Sequence, residues 1–397
     1  MARFSTRAIT ASTRTPRVDQ VPSSVPIYQS AAFSTQDADE LGDVLTGAVP
    51  GYAYSRIDNP TTNVLGSAIA ELEGAEAGLA FATGMAAIHA AIVSVVRAGQ
   101  TIVVTSAVYG TTRDLLVRIL AGLGIATEFV DPRDLALVDA ALARTGSPIL
   151  YVETVSNPTI VVSDLAALAR VAHDHGALLL VDNTFASPYA CRPIEHGADL
   201  VMHSATKYLS GHSDVLAGVV VGSRERIAAV RPILVDVGGT LAPLAAWLVL
   251  RGLPTLAIRM DRHSETAMEL AAWLEGQDGV VRVHYPGLPS DPGHELAARQ
   301  LDVFGGMLAF ELAGGRAAGR AFLDAMRLSE RTASLGSVRT IVSHPSSTTH
   351  RQLDATALAA AGIAPGLLRA SVGLEDVEDL REDFGIGLAA ARKASPA

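Results

Sequence analysis

The sequence predicts an α/β protein: a mainly parallel, doubly wound sheet followed by a smaller α+β region. Three observations carry this expectation. Short, nearly continuous apolar runs recur at 101–105, 148–153, 177–182, 200–204 and 217–222, as in strands buried on both faces. Helical patterns separate the runs, and a repeated strand–helix order calls for parallel neighbours joined by crossovers. After about Arg259 the order changes to a long helix over 259–276, an alternating strand over 304–312, and further helices and short strands.

The elements follow in chain order. The first 58 residues contain Pro16, Pro22, Pro26 and Pro50 and little periodicity, so they read as an extended arm that needs another surface to lie on. The stretch 77–96 holds no Asp, Glu, Lys or Arg and could span a bilayer on count alone. Its alanines and glycines, His89 and the Thr83-Gly84 step favour a buried helix of a large core. Ser163 or Asp164 can cap a helix whose apolar face is Leu165, Leu168, Ala169 and Ala172, with its end at Gly176. The expected organisation is an arm over 1–58, a large domain over 59–257 and a small one over 258–397.

Composition narrows the function. The chain has 397 residues and a formal charge of −10, which argues against nucleic-acid or anionic-membrane partners but not against a small anion. Cys191 is the single cysteine, which excludes an intramolecular disulfide and a cysteine-built zinc site and fits a reducing compartment. Arg3, Arg7 and Arg14 lie among Ser and Thr with no apolar core segment, so no secretory signal is visible, although a transit peptide stays open. A soluble, cytoplasmic protein is expected. His203, His212, His344 and His350 have separations that suit no single metal site, and no metal is expected.

In parallel sheets, functional groups collect beyond the carboxyl ends of strands. Three such ends carry polar residues: Asp182, then Lys207 with Ser204 and Thr206, then the turn from Glu153 to Asn157. Each alone has an ordinary use, as helix cap, solvated charge or turn former; together at neighbouring strand ends they suggest a site. A lysine whose pKa is depressed there can form a Schiff base. An aldehyde cofactor such as pyridoxal 5'-phosphate (PLP) also needs a carboxylate for its ring nitrogen and a cradle for its phosphate. Asp182 is the candidate carboxylate. Ser204, Thr206 and the helix start at Gly84-Met85 are the candidate cradle.

The chain resembles the trans-sulfuration (Cys/Met metabolism) family of PLP enzymes: cystathionine γ-synthases, cystathionine γ-lyases, methionine γ-lyases and O-acylhomoserine sulfhydrylases. The resemblance rests on seven motifs in order, at 51–61, 82–88, 108–112, 153–159, 181–188, 203–212 and 369–376. The most specific is His-Ser-Ala-Thr-Lys-Tyr-Leu-Ser-Gly-His at 203–212. It implies the type I, aspartate-aminotransferase-like fold with a seven-stranded sheet. It also implies a homotetramer of dimers that share active sites.

The same resemblance implies roles for single residues. Lys207 would carry the cofactor and then act as the base, Asp182 would pair with the ring nitrogen, and Tyr109 would stack on the ring and act as an acid near the leaving group. Gly84, Met85, Ser204 and Thr206 would hold the phosphate, joined by Tyr54 and Arg56 from the neighbouring subunit. Asn157 would position the cofactor edge, and Arg369, with Asn157 and Ser334, the substrate carboxylate. The implied reaction is γ-replacement or γ-elimination on homoserine- or homocysteine-derived substrates, possible acceptors being thiols. The alternatives are β-elimination of the cystathionine β-lyase type and, more remotely, a non-catalytic PLP-binding regulatory protein.

Departures from the pattern bear on specificity. Methionine γ-lyases carry a cysteine where this chain has Thr111, and Lys-Asp where it has Val235-Asp236. Cystathionine-handling members carry a glutamate where this chain has Arg339. Arg339 is therefore expected to meet a neutral or anionic distal group on the substrate, with an ordinary ion pair at the surface as the alternative. The segments 240–247 and 343–350 look closest to the sulfhydrylases.

Overall fold

A computed structural model gives the structure and describes residues 20–348, 358 and 362–394. Seven strands form the large sheet: β1 (Ala77–Phe81), β2 (Thr101–Thr105), β3 (Ala126–Val130), β4 (Ile149–Glu153), β5 (Leu178–Asp182), β6 (Leu200–His203) and β7 (Gly218–Gly222). Their order is β1-β7-β6-β5-β4-β2-β3. The pairs from β6 to β3 are parallel, and only β7 runs against its neighbours.

The apolar runs have a direct cause. Successive residues of a strand point to opposite faces, and both faces are covered. Val103, Leu150, Leu179, Val181 and Val201 join one hydrophobic layer, while Ile102, Val104, Ile149, Leu180 and Leu200 join the other. Burying each such side chain contributes roughly 1.5–3 kcal/mol, so neither face tolerates polar alternation. All five strands expected from the sequence are present, with ends shifted by at most a residue.

Two strands were not expected. β1 lies inside the uncharged stretch 77–96: the helix begins at Gly84, as the Thr83-Gly84 step indicates, but the residues before it form a strand. Both parts are apolar, so hydropathy could not divide them. The division is local: Thr83 leaves the helix in an extended conformation and its side chain accepts the Ala86 N–H at 3.0 Å. β3 is an edge strand in which only Val130 is fully buried, so it carries no apolar run. The helix Leu165–Asp174 is capped by Asp164, which accepts from the Ala167 N–H at 3.0 Å. Gly176 follows at φ +70°, the left-handed turn that ends it.

The second sheet is antiparallel: β8 (Val280–His284), β9 (Met307–Leu312), β10 (Ile341–Ser343) and β11 (Leu367–Ser371), in the order β10-β11-β9-β8. β9 is shorter than expected and does not alternate in burial. Leu308, Phe310 and Leu312 face one cluster, whereas Met307 and Ala309 face the core of the large sheet. The long helix is Leu256–Glu275. In the arm, the helix Ala38–Thr46 is capped by Asp37 and buries no residue, so its support is not supplied by the rest of the described chain. Among the described residues no helix is long and apolar enough to cross a membrane.

Candidate active site

The carboxyl ends of β4, β5 and β6 deliver Glu153, Asp182 and the turn that begins at Ser204. The β4–β5 register sets Glu153 directly beside Asp182. Above them is a cavity of about 240 Å³ lined by Gly84, Met85, Tyr109, Glu153, Asn157, Asp182, Ser204, Thr206, Lys207, Ser334 and Arg369, among others. Ten residues given a role from the sequence thus meet in one place: all of these except Glu153, which is read there only as the start of a polar turn.

The charges inside it are costly and organised. Asp182 is buried, accepts from the Thr184 N–H at 3.0 Å and from the Tyr151 hydroxyl at 3.4 Å, and burial raises its pKa. Glu153 accepts the Tyr109 N–H at 2.6 Å with one oxygen and the Asn157 N–H at 3.1 Å with the other. Burial, then the adjacent Asp182, pushes its pKa well above the usual carboxylate range. Lys207 Nζ donates to Ser334 Oγ at 2.6 Å. Burial, assisted by the Arg369 guanidinium, lowers its pKa to about 8, within reach of the neutral amine that attacks a carbonyl.

Arg369 comes from the middle of β11, so the second sheet supplies it. Its Nη1 donates to Asn157 Oδ1 and its Nη2 to the Ser334 carbonyl, both at 2.9 Å. Its Nε is buried without a partner among the described residues. Burial lowers its pKa to about 10. Ser334 therefore faces both cations, one through its hydroxyl and one through its carbonyl. It does so at φ +117°, a strained backbone for a residue with a side chain.

The anion cradle depends on a close approach. A Cβ on Gly84 would lie 2.8 Å from the Ser204 Cβ, so only glycine lets the start of the Gly84–Val95 helix meet that turn. The Ser204 N–H is held by Thr184 Oγ1 at 2.8 Å, and Thr206 Oγ1 accepts the Ala217 N–H at 3.0 Å. A helix N-terminus and two hydroxyls suit a phosphate. Tyr109 caps the next short helix, Gly110–Asp114, and stays 42 % exposed at the cavity wall.

Three expected residues lie elsewhere. Tyr54 and Arg56 are on the arm, where the guanidinium sits 5.6 Å from the tyrosine ring centroid and donates to the Val235 carbonyl. Arg339, expected at the substrate, does not line the cavity. Its 62 % exposed side chain pairs with Glu330, which is bridged to Ile341, two residues beyond Arg339. Of the histidines, His212 and His344 bond backbone carbonyls at 2.6 and 2.8 Å, and His350 lies outside the described residues. Cys191 is buried and does not line the cavity; burial raises its thiol pKa. Glu153, Thr83 and Thr184 lie in segments that the sequence singles out but are assigned no role there. Glu153 had a readable signal, since it ends an apolar strand just as Asp182 does.

The set fits a pyridoxal-type cofactor. Asp182 receives only neutral donors and can accept a ring N–H⁺, Lys207 is readily neutralised, and Arg369 retains an unused N–H. The comparisons agree. Residues 5–389 match the family described as "Cys/Met metabolism PLP-dependent enzyme". The chain is 42% identical over 389 residues to the O-succinylhomoserine sulfhydrylase of Pseudomonas aeruginosa, covering 98% of this chain and 96% of the relative. It is 43% identical over 368 residues to the L-methionine gamma-lyase of Pseudomonas putida, covering 92% of each. Cystathionine gamma synthase from Xanthomonas oryzae pv. oryzae, solved with cystathionine, superimposes with a TM-score of 0.88 at 41% identity and 94% coverage of both chains. The chain belongs to the Cys/Met metabolism family of PLP-dependent enzymes.

Proposed function

We propose that this enzyme catalyses γ-replacement or γ-elimination on amino acids derived from homoserine, with an O-acylhomoserine plus a thiol as the leading substrate pair. The observation that carries the proposal is the placement of Lys207, depressed to a pKa of about 8, in one cavity with the carboxylate binder Arg369. The match to a sulfhydrylase over 98% of the chain supports the substrate class.

Bound there, pyridoxal 5'-phosphate supplies the electron sink for a carbanion at Cα of the amino acid. Asp182 keeps the ring nitrogen protonated. Arg369 takes the substrate α-carboxylate in a bidentate pair, which lysine could not match, and Asn157 and Ser334 hold the guanidinium in place. Lys207 Nζ would serve as the base at Cα and then at Cβ of the amino acid. Tyr109, at the open wall, supplies a proton to the departing γ-group. Gly84, Met85, Ser204 and Thr206 hold the phosphate.

Tyr54 and Arg56 of a second copy would complete the phosphate site and would support an arm whose helix Ala38–Thr46 buries no residue; the assembly this reading expects is a homodimer sharing two sites, paired again into a tetramer. Arg339 would act at the distal end of the substrate through Glu330, which lines the adjoining groove together with Thr206 and Ser334. Methionine, homocysteine, cystathionine, O-acetylhomoserine and O-succinylhomoserine, each with and without thiol, test the reading. Thiol-dependent loss of an O-acylhomoserine, or 2-oxobutanoate without thiol, is expected. Pyruvate from cystathionine as the main product would establish β-elimination instead.

A further inference from the structure

Beneath the site lies a charged group that the proposed chemistry does not use. Glu73 is the last residue of the helix Pro60–Glu73 and is fully buried. That position is doubly unfavourable for a carboxylate. Burial removes its hydration, and the carbonyl end of a helix repels negative charge. An apolar side chain would serve stability better unless the carboxylate does something else.

Its contacts indicate what. Glu73 Oε1 accepts the Asn183 Nδ2–H at 2.8 Å and lies 2.6 Å from His203 Nε2. Asn183 directly follows Asp182, and His203 directly precedes Ser204. One oxygen therefore ties the end of β5, which presents the ring-nitrogen carboxylate, to the end of β6, which leads into the phosphate cradle and Lys207. The Asn183 side chain is fixed throughout: its Nδ2 also donates to the Cys191 carbonyl at 2.8 Å, and its Oδ1 accepts from Thr154 Oγ1 at 2.7 Å. The same strand ends are also tied by the Asn183 N–H to the Met202 carbonyl at 2.9 Å and, one residue further on, by the Ser204 N–H to Thr184 Oγ1 at 2.8 Å. The Glu73 contacts add a side-chain clamp from below, through one oxygen shared by both strand ends.

We propose that Glu73 is a positioning residue that sets the spacing between Asp182 and the Ser204–Lys207 turn, and so the fit of the cofactor between ring nitrogen and phosphate. The proposal rests on the cofactor reading above. It concerns hydrogen-bond acceptance at one oxygen, not the net charge of the carboxylate.

The test is uptake of pyridoxal 5'-phosphate by the full-length apoprotein, followed by the visible absorbance of the lysine-bound cofactor, with thermal unfolding of each apoprotein alongside. Glu73→Ala should weaken cofactor binding by about tenfold through the loss of the shared acceptor. Glu73→Gln, which keeps the shared acceptor, should stay within about threefold of the unaltered protein. Asn183→Ala removes the tie to β5, together with the bonds of that side chain to the Cys191 carbonyl and Thr154 Oγ1, but leaves the His203 contact, and should show an intermediate loss; it carries the test if Glu73→Ala does not fold. Unchanged cofactor affinity in the folded variants, with only a lower unfolding midpoint, would reduce Glu73 to a structural role and overturn the proposal. So would a Glu73→Gln protein as impaired as Glu73→Ala. An unaltered apoprotein that takes up no cofactor would instead overturn the functional reading.

Discussion

The cavity at the edge of the large sheet and the cluster under the small sheet are both buried, yet they are built by opposite rules. The cluster is apolar and aromatic: Phe310, Phe322 and Phe384 are fully buried, with ring centroids 5.3, 5.4 and 6.0 Å apart. Gly387 lets one ring close in, since a Cβ there would lie 2.7 Å from Phe322. The cavity contains Lys207, Arg369, Asp182 and Glu153 together with a strained Ser334. Function is assembled at a cost in stability, and the second sheet both offsets that cost and lends Arg369 to the site.

The comparison can be broken from either side. Phe322→Ala should destabilise the protein by ~3–5 kcal/mol, measured by denaturant unfolding, while kcat of the folded fraction changes by less than about twofold. Arg369→Lys should do the reverse: kcat/KM falls about 10- to 100-fold for the loss of a bidentate charged contact, with little change in unfolding. A stability effect as large as that of Phe322→Ala would mean that the guanidinium is mainly a structural brace.

Lys207 sharpens the same contrast through pH. Its folded pKa of about 8 lies below its ordinary value of 10.5, so the folded state binds fewer protons between them. The penalty for burying its charge is fully present below pH 8 and is relieved as pH rises toward 10.5. In cofactor-free protein, Lys207→Met should therefore be more stable than the unaltered chain at neutral pH, by on the order of 2 kcal/mol. Unfolding curves should show that advantage shrinking at alkaline pH; a constant advantage would contradict the buried-charge account. The smallest effect is expected at Arg339, an exposed pair with Glu330. Arg339→Glu should leave stability within about 1 kcal/mol but shift discrimination between cystathionine and O-acylhomoserine. Unchanged discrimination would remove Arg339 from specificity.

Much of this was legible in the sequence, and the gaps have physical causes. Val103, Leu150 and Leu180 mark strands because both sheet faces are covered. Asp182 and Lys207 stand out because a charge that ends an apolar strand is conspicuous. β1 was hidden in an apolar stretch that reads equally well as helix, and β3 by its exposed edge. Glu153 is legible at its strand end but without a role, because what it holds are backbone N–H groups, one of them 44 residues away, which sequence does not show. The positive φ of Ser334 and the Glu330 partner of Arg339 arise only once the second sheet is docked.

Lys207 is one of only two lysines in the chain, the other being Lys393 near its C-terminal end. The central claim can therefore be tested almost without ambiguity by reducing the cofactor-loaded protein with borohydride and mapping the modified peptide by mass spectrometry. A pyridoxyl-phosphate adduct on Lys207, lost in Lys207→Ala together with the yellow colour, is the predicted result. An adduct confined to Lys393, or none at all, would contradict the account.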